Sequence, residues 1–343
     1  MERYIIFSIA TILDALKALD GTSHDWQTLF VVDEAERMVG TLTDGDIRRG
    51  LIGGASLSTP VNQIMHTRFK FVRDGQYDAK LLKEFREKQI YFIPVLDNEG
   101  HVVKVCNLIK YRNFLPVDAV LMAGGKGERL RPLTENTPKP LLPVGGKAII
   151  DHNVDRLISF GIKHISVTVN YLGEQLEEHF CEPRNEVQIR TVREPKFLGT
   201  IGSIRYVPEF YNDTVIVMNS DLFTNINYED FYLHFKEHDA DMSVAAIPYD
   251  VDIPYGILNV NGHNITGLSE KPHYGYYANA GIYLIKKSAF DLIPEDAMFH
   301  STNLLESLVA AGRKVIHFPL VGTWIDIGNP QEYKRANDLV KYM

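Results

Sequence analysis

The stretch "VLMAGGKGERLRPLTENTPKPLLPV", from Val120 to Val144, joins a short apolar run to a loop rich in glycine, proline and basic residues. The apolar run predicts a buried strand, and Gly124, Gly125 and Gly127 follow it directly. Glycines at these positions let backbone N–H groups converge on an anion, because a side chain there would block close approach. The stretch therefore predicts an anion site in a loop that leaves the end of a strand.

Two familiar phosphate-binding templates do not fit this loop. A dinucleotide fingerprint needs a third glycine where Leu130 stands, and a P-loop needs Gly-Lys-Ser/Thr, whereas Lys147 precedes Ala148. Lys139 instead lies between two prolines, which fix the backbone on both sides and present its ammonium at a defined place. A fixed cation beside a glycine loop suits phosphoryl chemistry, in which catalysis is mostly positioning and charge neutralisation.

Length and composition restrict the class of protein. The chain has 343 residues, 45% of them hydrophobic, which predicts two domains rather than one typical core. A formal net charge of −8 argues against a nucleic-acid-binding protein, so basic groups must act locally. The two cysteines, Cys106 and Cys181, suggest neither a disulfide framework nor a zinc site and fit a reducing cytoplasm. The apolar segment Tyr4–Leu13 is shorter than a membrane span and lacks a clear cleavage site, so we expect no membrane association and no secretion.

The C-terminal two-thirds alternates between predicted strands and helices. Three segments have the pattern of buried strands: Asp118–Ala123, His164–Asn170 and Asp213–Asn219. The alternation predicts an α/β domain with a Rossmann-like, mostly parallel mixed sheet and helices on both faces. We place this domain at residues 116–343 and a smaller α+β domain at residues 1–115. Ligands of such sheets bind beyond the carboxyl ends of the strands, where the glycine loop begins.

The N-terminal third contains two similar units, Thr28–Leu51 and Tyr91–Tyr111, each with a strand, an acidic turn and a second strand. Together they resemble a tandem pair of CBS domains, small regulatory modules that often bind adenine nucleotides and associate into dimers. The resemblance rests mainly on "GTLTDGDIRRGL", where Gly40, Thr43 and Asp46 match the family pattern G-x-x-T-x-x-D.

The CBS resemblance implies that Thr43 and Asp46 hydrogen-bond the ribose and neighbouring phosphate of an adenine nucleotide. The second unit has neither residue type at the matching positions, which predicts that one of the two nucleotide pockets is damaged. A purely local alternative is that Thr43 caps the helix that Asp46 starts. The resemblance also implies a homodimer or a higher homo-oligomer.

The C-terminal two-thirds resembles the sugar-phosphate nucleotidylyltransferase family, which makes nucleotide sugars from an NTP and a sugar 1-phosphate. The match extends over nearly all of Asp118–Met343 and recurs in six separated motifs in the family's order. These are "LMAGGKGERLRPLTENTPKPLLPVGGKAII", "LGTIGSI", "VMNSDLF", "SEKP", "NAGIYL" and "WIDIG". The resemblance implies attack by a sugar-phosphate oxygen on the α-phosphorus of the NTP, with pyrophosphate as the leaving group.

This reaction brings together two polyanions, which calls for a divalent metal and several cations. The resemblance implies that Asp221, in "NSD", and Asp326, in "WIDIG", are ligands of Mg²⁺, a cation that prefers carboxylate oxygens. It further implies that Arg129 holds the β- and γ-phosphates. Lys139 and Lys271 are expected to approach the α-phosphate and the incoming phosphate.

Further candidates concern the nucleotide. Gly124 and Gly125 are expected to let the nucleobase and ribose pack on the backbone, and the resemblance gives Gly199 and Gly202 the same role beside the sugar or base. Asn170, at the end of its predicted strand, is either a base contact or part of a strand-end turn.

Other residues concern the sugar and the choice of substrate. Glu270 and Asn279 are the expected readers of the sugar hydroxyls, since a carboxylate and an amide together accept and donate hydrogen bonds. The CBS pair and "NSDLFTNINYEDF" are most similar to guanylyltransferases that act on mannose 1-phosphate or glucosamine 1-phosphate in bacterial surface-glycan and nonulosonate pathways. We therefore expect GTP and, within that group, glucosamine 1-phosphate.

Alternatives to this interpretation stay open. A nucleotidylyltransferase using UTP, dTTP or CTP, or a sugar such as heptose, would carry the same motifs. A glycosyltransferase commonly carries Asp-x-Asp, and Asn219 at the first of these positions argues against that class. A non-catalytic nucleotide sensor is disfavoured by the intact Arg129, Lys139, Asp221 and Asp326.

Overall fold

The computed structural model describes residues 4–21 and 27–342, which form two compact units divided between Phe114 and Leu115. The helices within these ranges are all too short or too polar to cross a membrane.

The first unit contains two repeats of one α/β arrangement. The first repeat consists of β1 (Ile5–Phe7), α1 (Ile12–Asp20), β2 (Thr28–Val32), β3 (Met38–Thr43) and α2 (Asp44–Ile52). The second consists of β4 (Val72–Arg73), α3 (Ala79–Glu87), β5 (Phe92–Leu96) and β6 (Val102–Asn107). In each three-stranded sheet the first two strands pair in parallel and the last two antiparallel, with a bulge at the same place. The predicted internal repeat is therefore confirmed.

Turn contacts recur in both repeats. Asp33 accepts a 2.9 Å hydrogen bond from Arg37 after β2, and Asp97 pairs with His101 at 2.9 Å after β5. An apolar cluster joins the two repeats and contains Tyr4, Phe30, Met38, Leu96 and Val102.

The second unit is a larger α/β domain. Its first half consists of β7 (Asp118–Ala123), β8 (Pro143–Val144), β9 (Lys147–Ala148), α4 (Ile149–Ser159), β10 (Ile165–Val169), α5 (Gly173–His179), β11 (Ile189–Arg193), β12 (Thr214–Asn219) and β13 (Leu222–Thr224). Its second half consists of α6 (Tyr228–Glu237), β14 (Met242–Asp252), β15 (Ile257–Asn261), β16 (Asn264–Ser269), β17 (His273–Lys286), α7 (Ser301–Ala310), β18 (Val315–Pro319), β19 (Trp324–Asp326) and α8 (Pro330–Leu339).

Seven strands of this unit form one sheet in the order β11-β10-β7-β12-β17-β14-β18. Strands β11, β10, β7 and β12 are mutually parallel, β14 and β18 pair in parallel, and β17 runs antiparallel to both of its neighbours. Strands β7, β10 and β12 are almost wholly buried. Their continuous apolar runs are typical of parallel strands that are covered on both faces. The predicted mostly parallel mixed sheet is confirmed.

The order of the strands brings four chain segments to one edge of the sheet. The carboxyl ends of β7, β10, β11 and β12 lie side by side, and each is followed by a residue without a regular ladder partner. Gly124, Asn170 and Glu194 come directly after the first three strands, and Asp221 comes two residues after Asn219. Residues from these segments therefore come close together at this edge.

Candidate active site

A cavity of about 570 Å³ opens at this edge of the sheet. It is lined by residues Met122–Leu130, Lys139, Pro140, Asn170, Phe197, Ser220, Asp221 and Gly328. The structure thus brings together seven residues that the sequence singles out: Gly124, Gly125, Gly127, Arg129, Lys139, Asn170 and Asp221.

The glycine loop is shaped by tight contacts at two of its three glycines. Gly127 has a φ of +62°, and a Cβ atom there would lie 3.0 Å from the Cβ of Lys139. A Cβ atom at Gly124 would collide with the carboxylate of Glu194. Gly125 faces open space, so its backbone is accessible from the cavity. Gly124 and Gly127 are therefore needed because the chain approaches itself closely at both positions. Gly125 instead leaves its backbone open to a ligand.

Lys139 connects the loop to the acidic side of the cavity. The residue is only 7% exposed, and its ammonium donates a hydrogen bond to Oδ2 of Asp221. The same ammonium lies 4.0 Å from Oδ1 of Asp326. The sequence predicts a lysine that meets phosphate, and the structure places its ammonium between the two predicted metal ligands.

Asp221 and Asp326 are brought together by backbone pairing. Strands β13 and β19 are antiparallel, with Leu222 opposite Asp326, and the N–H of Ile327 donates to the carbonyl of Asp221 at 3.2 Å. Burial raises the pKa of Asp326, and the nearby charge of Asp221 raises it further. Oδ1 of Asp221 is buried and accepts no hydrogen bond within the described part of the chain. An orphaned carboxylate oxygen beside a second carboxylate fits a hard divalent cation such as Mg²⁺.

Arg129 reaches the same group of residues from the glycine loop. Its guanidinium lies against Gly328, where an added Cβ atom would stand 3.1 Å from Nη2. Gly328 follows Asp326 by two residues, so the motif "WIDIG" supplies both a carboxylate and the space for a guanidinium. The arginine side chain is otherwise exposed at the cavity mouth, where it can meet an anion.

Two buried residues that the sequence interpretation missed lie against residues of the site. Glu194 is 4% exposed, its Oε2 accepts a 3.1 Å hydrogen bond from the N–H of Leu198, and burial raises its pKa. Asn153, on α4, is 1% exposed and donates a 2.7 Å hydrogen bond to the carbonyl of Leu222, next to Asp221. The position of Glu194 directly after β11 is the one sequence signal that points to it.

Other predicted residues lie away from the cavity wall. A Cβ atom at Gly199, where φ is +82°, would stand 2.6 Å from the carbonyl oxygen of Phe299, and one at Gly202 would stand 3.0 Å from that of Ala297. The N–H of Gly202 donates to the carbonyl of Phe299 at 3.2 Å. In this structure both glycines serve close packing of two loops, and their contact with sugar or base stays a prediction.

The predicted sugar readers Glu270 and Asn279, and Lys271 as a predicted contact of the phosphates, are also outside the cavity lining. Glu270 and Lys271 are exposed in the turn between β16 and β17, where Lys271 has a φ of +42°. The amide of Asn279 donates to the hydroxyl of Tyr283 and accepts from the N–H of Gly281, both at 2.9 Å. Part of its hydrogen-bonding capacity is thus used within its own strand.

In the first unit, Thr43 and Asp46 form a capping box at the start of α2. The hydroxyl of Thr43 lies 2.7 Å from Oδ2 of Asp46, and Arg49 donates to the same carboxylate at 2.6 Å. The local alternative, a helix cap, is what the structure shows, while a nucleotide role for the pair stays a prediction. Asn107 occupies the corresponding strand end of the second repeat, where its side chain caps the N–H groups that follow.

Family models match a part of each of the two units. Residues 118–342 match the model of the nucleotidyl transferase family. The chain belongs to this family. Residues 4–53 match the CBS domain, so this family member carries a CBS region ahead of its transferase domain.

Similarity to individual curated proteins supports the same family assignment. The nucleotidyl transferase domain is 32% identical over 223 residues to a mannose-1-phosphate guanyltransferase of Yarrowia lipolytica, covering 62% of this chain and 61% of that protein. It is 29% identical over 228 residues to the bifunctional protein GlmU of Methanocaldococcus jannaschii, covering 64% and 53%. The chain therefore spans less than two-thirds of the length of these curated relatives. The structure of HddC from Yersinia pseudotuberculosis shares the fold, with a TM-score of 0.51 and 24% identity over 66% of this chain and all of that one.

Proposed function

We propose that this nucleotidyl transferase joins the nucleotidyl group of an NTP to a sugar 1-phosphate. An oxygen of the sugar phosphate attacks the α-phosphorus, the bond from that phosphorus to the bridging oxygen of the β-phosphate breaks, and pyrophosphate leaves. The observation that carries the proposal is the meeting of Lys139, Asp221 and Asp326 at the glycine loop. This arrangement supplies charge neutralisation and positioning without a protein nucleophile, as in-line transfer requires.

Each charged residue has a task that follows from its place. Asp221 and Asp326 would hold the divalent cation, which neutralises phosphate charge when it is bound. Lys139 would leave its hydrogen bond to Asp221 and turn towards the α-phosphate. Arg129, at the cavity mouth, would bind the outer phosphates and release them with the leaving group. Gly125 leaves its backbone N–H open to the same anion.

The buried carboxylate of Glu194 supports GTP as the nucleotide. Its Oε1 faces Gly124 in the cavity wall, beside Asn170. Guanine presents N1–H and the N2 amino group side by side, and one carboxylate can accept from both. Uracil and thymine present a single N–H between two carbonyl oxygens, which a carboxylate would repel. The relatives named mannose-1-phosphate guanyltransferase agree with this choice of base.

By similarity we propose glucosamine 1-phosphate or mannose 1-phosphate as the acceptor, with Glu270 and Asn279 as the residues that would contact the sugar and Lys271 as a contact of the phosphates. The glycosyltransferase alternative loses support from the structure. The side chain of Asn219 lies against Gly281, where an added Cβ atom would stand 2.7 Å from Nδ2, so this position is used for packing.

A single assay tests the proposal. The full chain is incubated with Mg²⁺, one of GTP, UTP, dTTP and CTP, and a panel of sugar 1-phosphates, and pyrophosphate release is followed. We expect release with GTP and with one or both of the two sugars, and none from the Asp221→Asn variant. Absence of pyrophosphate with every pair would contradict transferase activity, and release with UTP but not GTP would contradict the role given to Glu194.

A further inference from the structure

Among the described residues that line the active-site cavity, Phe197 is the one aromatic side chain. It is 45% exposed, although a phenylalanine is ordinarily buried. A single exposed apolar residue needs no explanation on an open surface. In the wall of a ligand cavity, however, aromatic side chains provide contact area for the ligand. Phe197 carries no charge and no polar atom for the transfer itself, so its place in the wall implies a ligand with an apolar surface.

A short turn, residues 194–198, holds Phe197 at the cavity wall. Both ends of the turn are buried, with Glu194 4% and Leu198 0% exposed. The N–H of Leu198 donates to Oε2 of Glu194 at 3.1 Å, so the carboxylate closes the turn. The three residues between these ends are all exposed. The anchored ends therefore fix the turn and leave the ring of Phe197 outside the core.

The cavity has an ionic end and an apolar end. The turn with Phe197 follows β11, whereas Asp221, which pairs with Lys139, follows β12. Strands β10 and β7 separate these two strands in the sheet. The two ends are thus three strand spacings apart, or about 14 Å. Charge draws a triphosphate to the ionic end, and the apolar end is left for the base.

We propose that Phe197 is the stacking surface for the nucleobase of the NTP. The inference rests on the proposed function, since it takes the occupant of the cavity to be a nucleotide. A base has a π-face, which stacks on aromatic side chains, and an edge of hydrogen-bonding groups. Phe197 and Glu194 lie three residues apart in one turn, beside Gly124 and Asn170, and supply a contact of each kind.

The two contacts divide the choice of base between them. A purine has two fused rings and covers more of a phenyl ring than a pyrimidine does, so stacking on Phe197 favours GTP and ATP over UTP and CTP. Glu194 then separates the two purines, because adenine has an acceptor nitrogen where guanine has N1–H, and a carboxylate would repel it. The turn 194–198 is therefore the specificity element of the nucleotide site.

Calorimetric titration of the full chain with GTP and Mg²⁺, and separately with inorganic tripolyphosphate and Mg²⁺, tests the stacking role. Tripolyphosphate has the phosphate chain of GTP and no base. We expect Phe197→Ala to bind GTP about 10- to 100-fold more weakly than wild type, the usual loss for one base–aromatic stack, and to bind tripolyphosphate with unchanged affinity.

Tyr211→Ala is the matched control. Tyr211 is a 54% exposed aromatic residue of the same unit, and its N–H donates to Asp118 at the start of β7, the opposite edge of the sheet. This variant should bind both ligands as wild type does.

A second variant reports on the base directly. Phe197→Trp places an indole in the same turn, and GTP should quench its fluorescence by stacking, whereas tripolyphosphate should not. The same titration of wild type corrects for the two native tryptophans, Trp26 and Trp324. A Phe197→Ala variant that binds GTP like wild type, an equal loss of affinity for GTP and tripolyphosphate, or an added indole that GTP does not quench would each overturn the proposal.

These outcomes are separate from those that test the reaction. GTP binding that depends on Phe197, with no pyrophosphate from any sugar 1-phosphate, would contradict the transfer and leave the stacking role intact. Pyrophosphate release from GTP, with equal GTP affinity in wild type and Phe197→Ala, would contradict the stacking role and leave the transfer intact.

Discussion

The buried ammonium of Lys139 donates a hydrogen bond to Asp221, which lies 82 residues further along the chain in the turn between β12 and β13. The lysine thus provides positive charge beside the two carboxylates that would hold a metal. We expect Lys139→Met to lower the melting temperature without Mg²⁺, because Asp221 and Asp326 then repel each other. Adding Mg²⁺ should raise the melting temperature of this variant more than that of wild type. Activity should fall about 100- to 1,000-fold, as when one transition-state donor is lost.

Thermal unfolding with and without Mg²⁺ measures this difference. Lys126→Met is the matched control, since Lys126 is an exposed cation of the same loop and lines the same cavity. An identical Mg²⁺-induced shift in Lys139→Met and wild type would show that the lysine and the metal do not share the carboxylates.

The charge of Asp326 is expected to destabilise the fold, although the same carboxylate is needed to bind the metal. Its pKa is raised by burial and by Asp221, so the folded protein holds this proton more tightly than the unfolded chain. The contribution of Asp326 to stability is therefore most favourable at low pH and declines as the pH rises from the ordinary aspartate value through the raised one. Asp326→Asn should consequently melt at a higher temperature than wild type at pH 7 without metal, while nucleotidyl transfer falls at least 100-fold.

The same pair of proteins supplies an internal control. As the pH falls towards the ordinary aspartate value, Asp326 takes up a proton in wild type as well because its pKa is raised by burial, so the difference in melting temperature between the two proteins should shrink. A variant that is less stable than wild type at pH 7, or a difference that does not change with pH, would contradict this account.

Much of the site can be predicted from the positions in the sequence at which the buried strands end. Each of the apolar runs of β7, β10 and β12 predicts a buried strand, and in a parallel sheet the residues after such strands meet at one edge. Gly124, Asn170 and Asp221 could be placed together on this basis. Asp326 could not, because β19 is a three-residue strand whose position depends on pairing with β13, and only the family motif indicates it.

Other features depend on contacts that have no local signal. A glutamate after a strand is ordinarily a solvated charge, and Glu194 is buried because Gly124, 70 residues earlier, leaves room for its carboxylate. Gly199 owes its positive φ to a loop about 100 residues away around Phe299. The exposure of residues 247–279 is equally invisible in the sequence, since alternating apolar residues also predict a strand that is covered on one face.

Glu194→Gln should change the preference for the base more than the stability of the fold. The amide replaces one acceptor oxygen by a donor, so it would lose a hydrogen bond from guanine and gain one to a carbonyl oxygen of uracil. We expect kcat/KM for GTP to fall about 10- to 100-fold, the usual range for a hydrogen bond to a charged group, while the value for UTP rises or stays constant.

Parallel assays with GTP and UTP give the ratio directly. Glu128→Gln, which alters an exposed carboxylate in the cavity lining, should leave that ratio unchanged. An unaltered GTP-to-UTP ratio in Glu194→Gln would remove Glu194 from base recognition and with it the structural support for GTP.

Asn153 is expected to influence metal binding indirectly, by holding the backbone next to Asp221. Its hydrogen bond to the carbonyl of Leu222 fixes the strand that begins one residue after Asp221. Asn153→Leu keeps the volume and removes the donor, so the Mg²⁺ concentration for half-maximal activity should rise about tenfold, the lower range for residues that orient a metal ligand. The KM for the sugar 1-phosphate should not change.

Arg156→Met is the control for general loosening of α4. Arg156 donates hydrogen bonds to the carbonyls of Asn225 and Ile226, four and five residues after Asp221. It should lower the melting temperature while leaving the Mg²⁺ requirement near that of wild type. Equal shifts in the Mg²⁺ requirement for both variants would mean that α4 supports the strand as a whole and that Asn153 has no particular role in positioning Asp221.

The CBS region contains two equivalent capping boxes, so variants of each can distinguish the structural role of Thr43 from its predicted role in nucleotide binding. Thr11 caps α1 with Asp14 as Thr43 caps α2 with Asp46. Thr11→Ala and Thr43→Ala should each cost about 1 kcal/mol of stability through loss of the cap. AMP should raise the melting temperature of wild type and of Thr11→Ala, and should not raise that of Thr43→Ala, because only Thr43 belongs to the nucleotide pattern. If AMP stabilises all three proteins equally, the Thr43 hydroxyl is a helix cap and nothing more; if it stabilises none, the CBS region does not bind AMP.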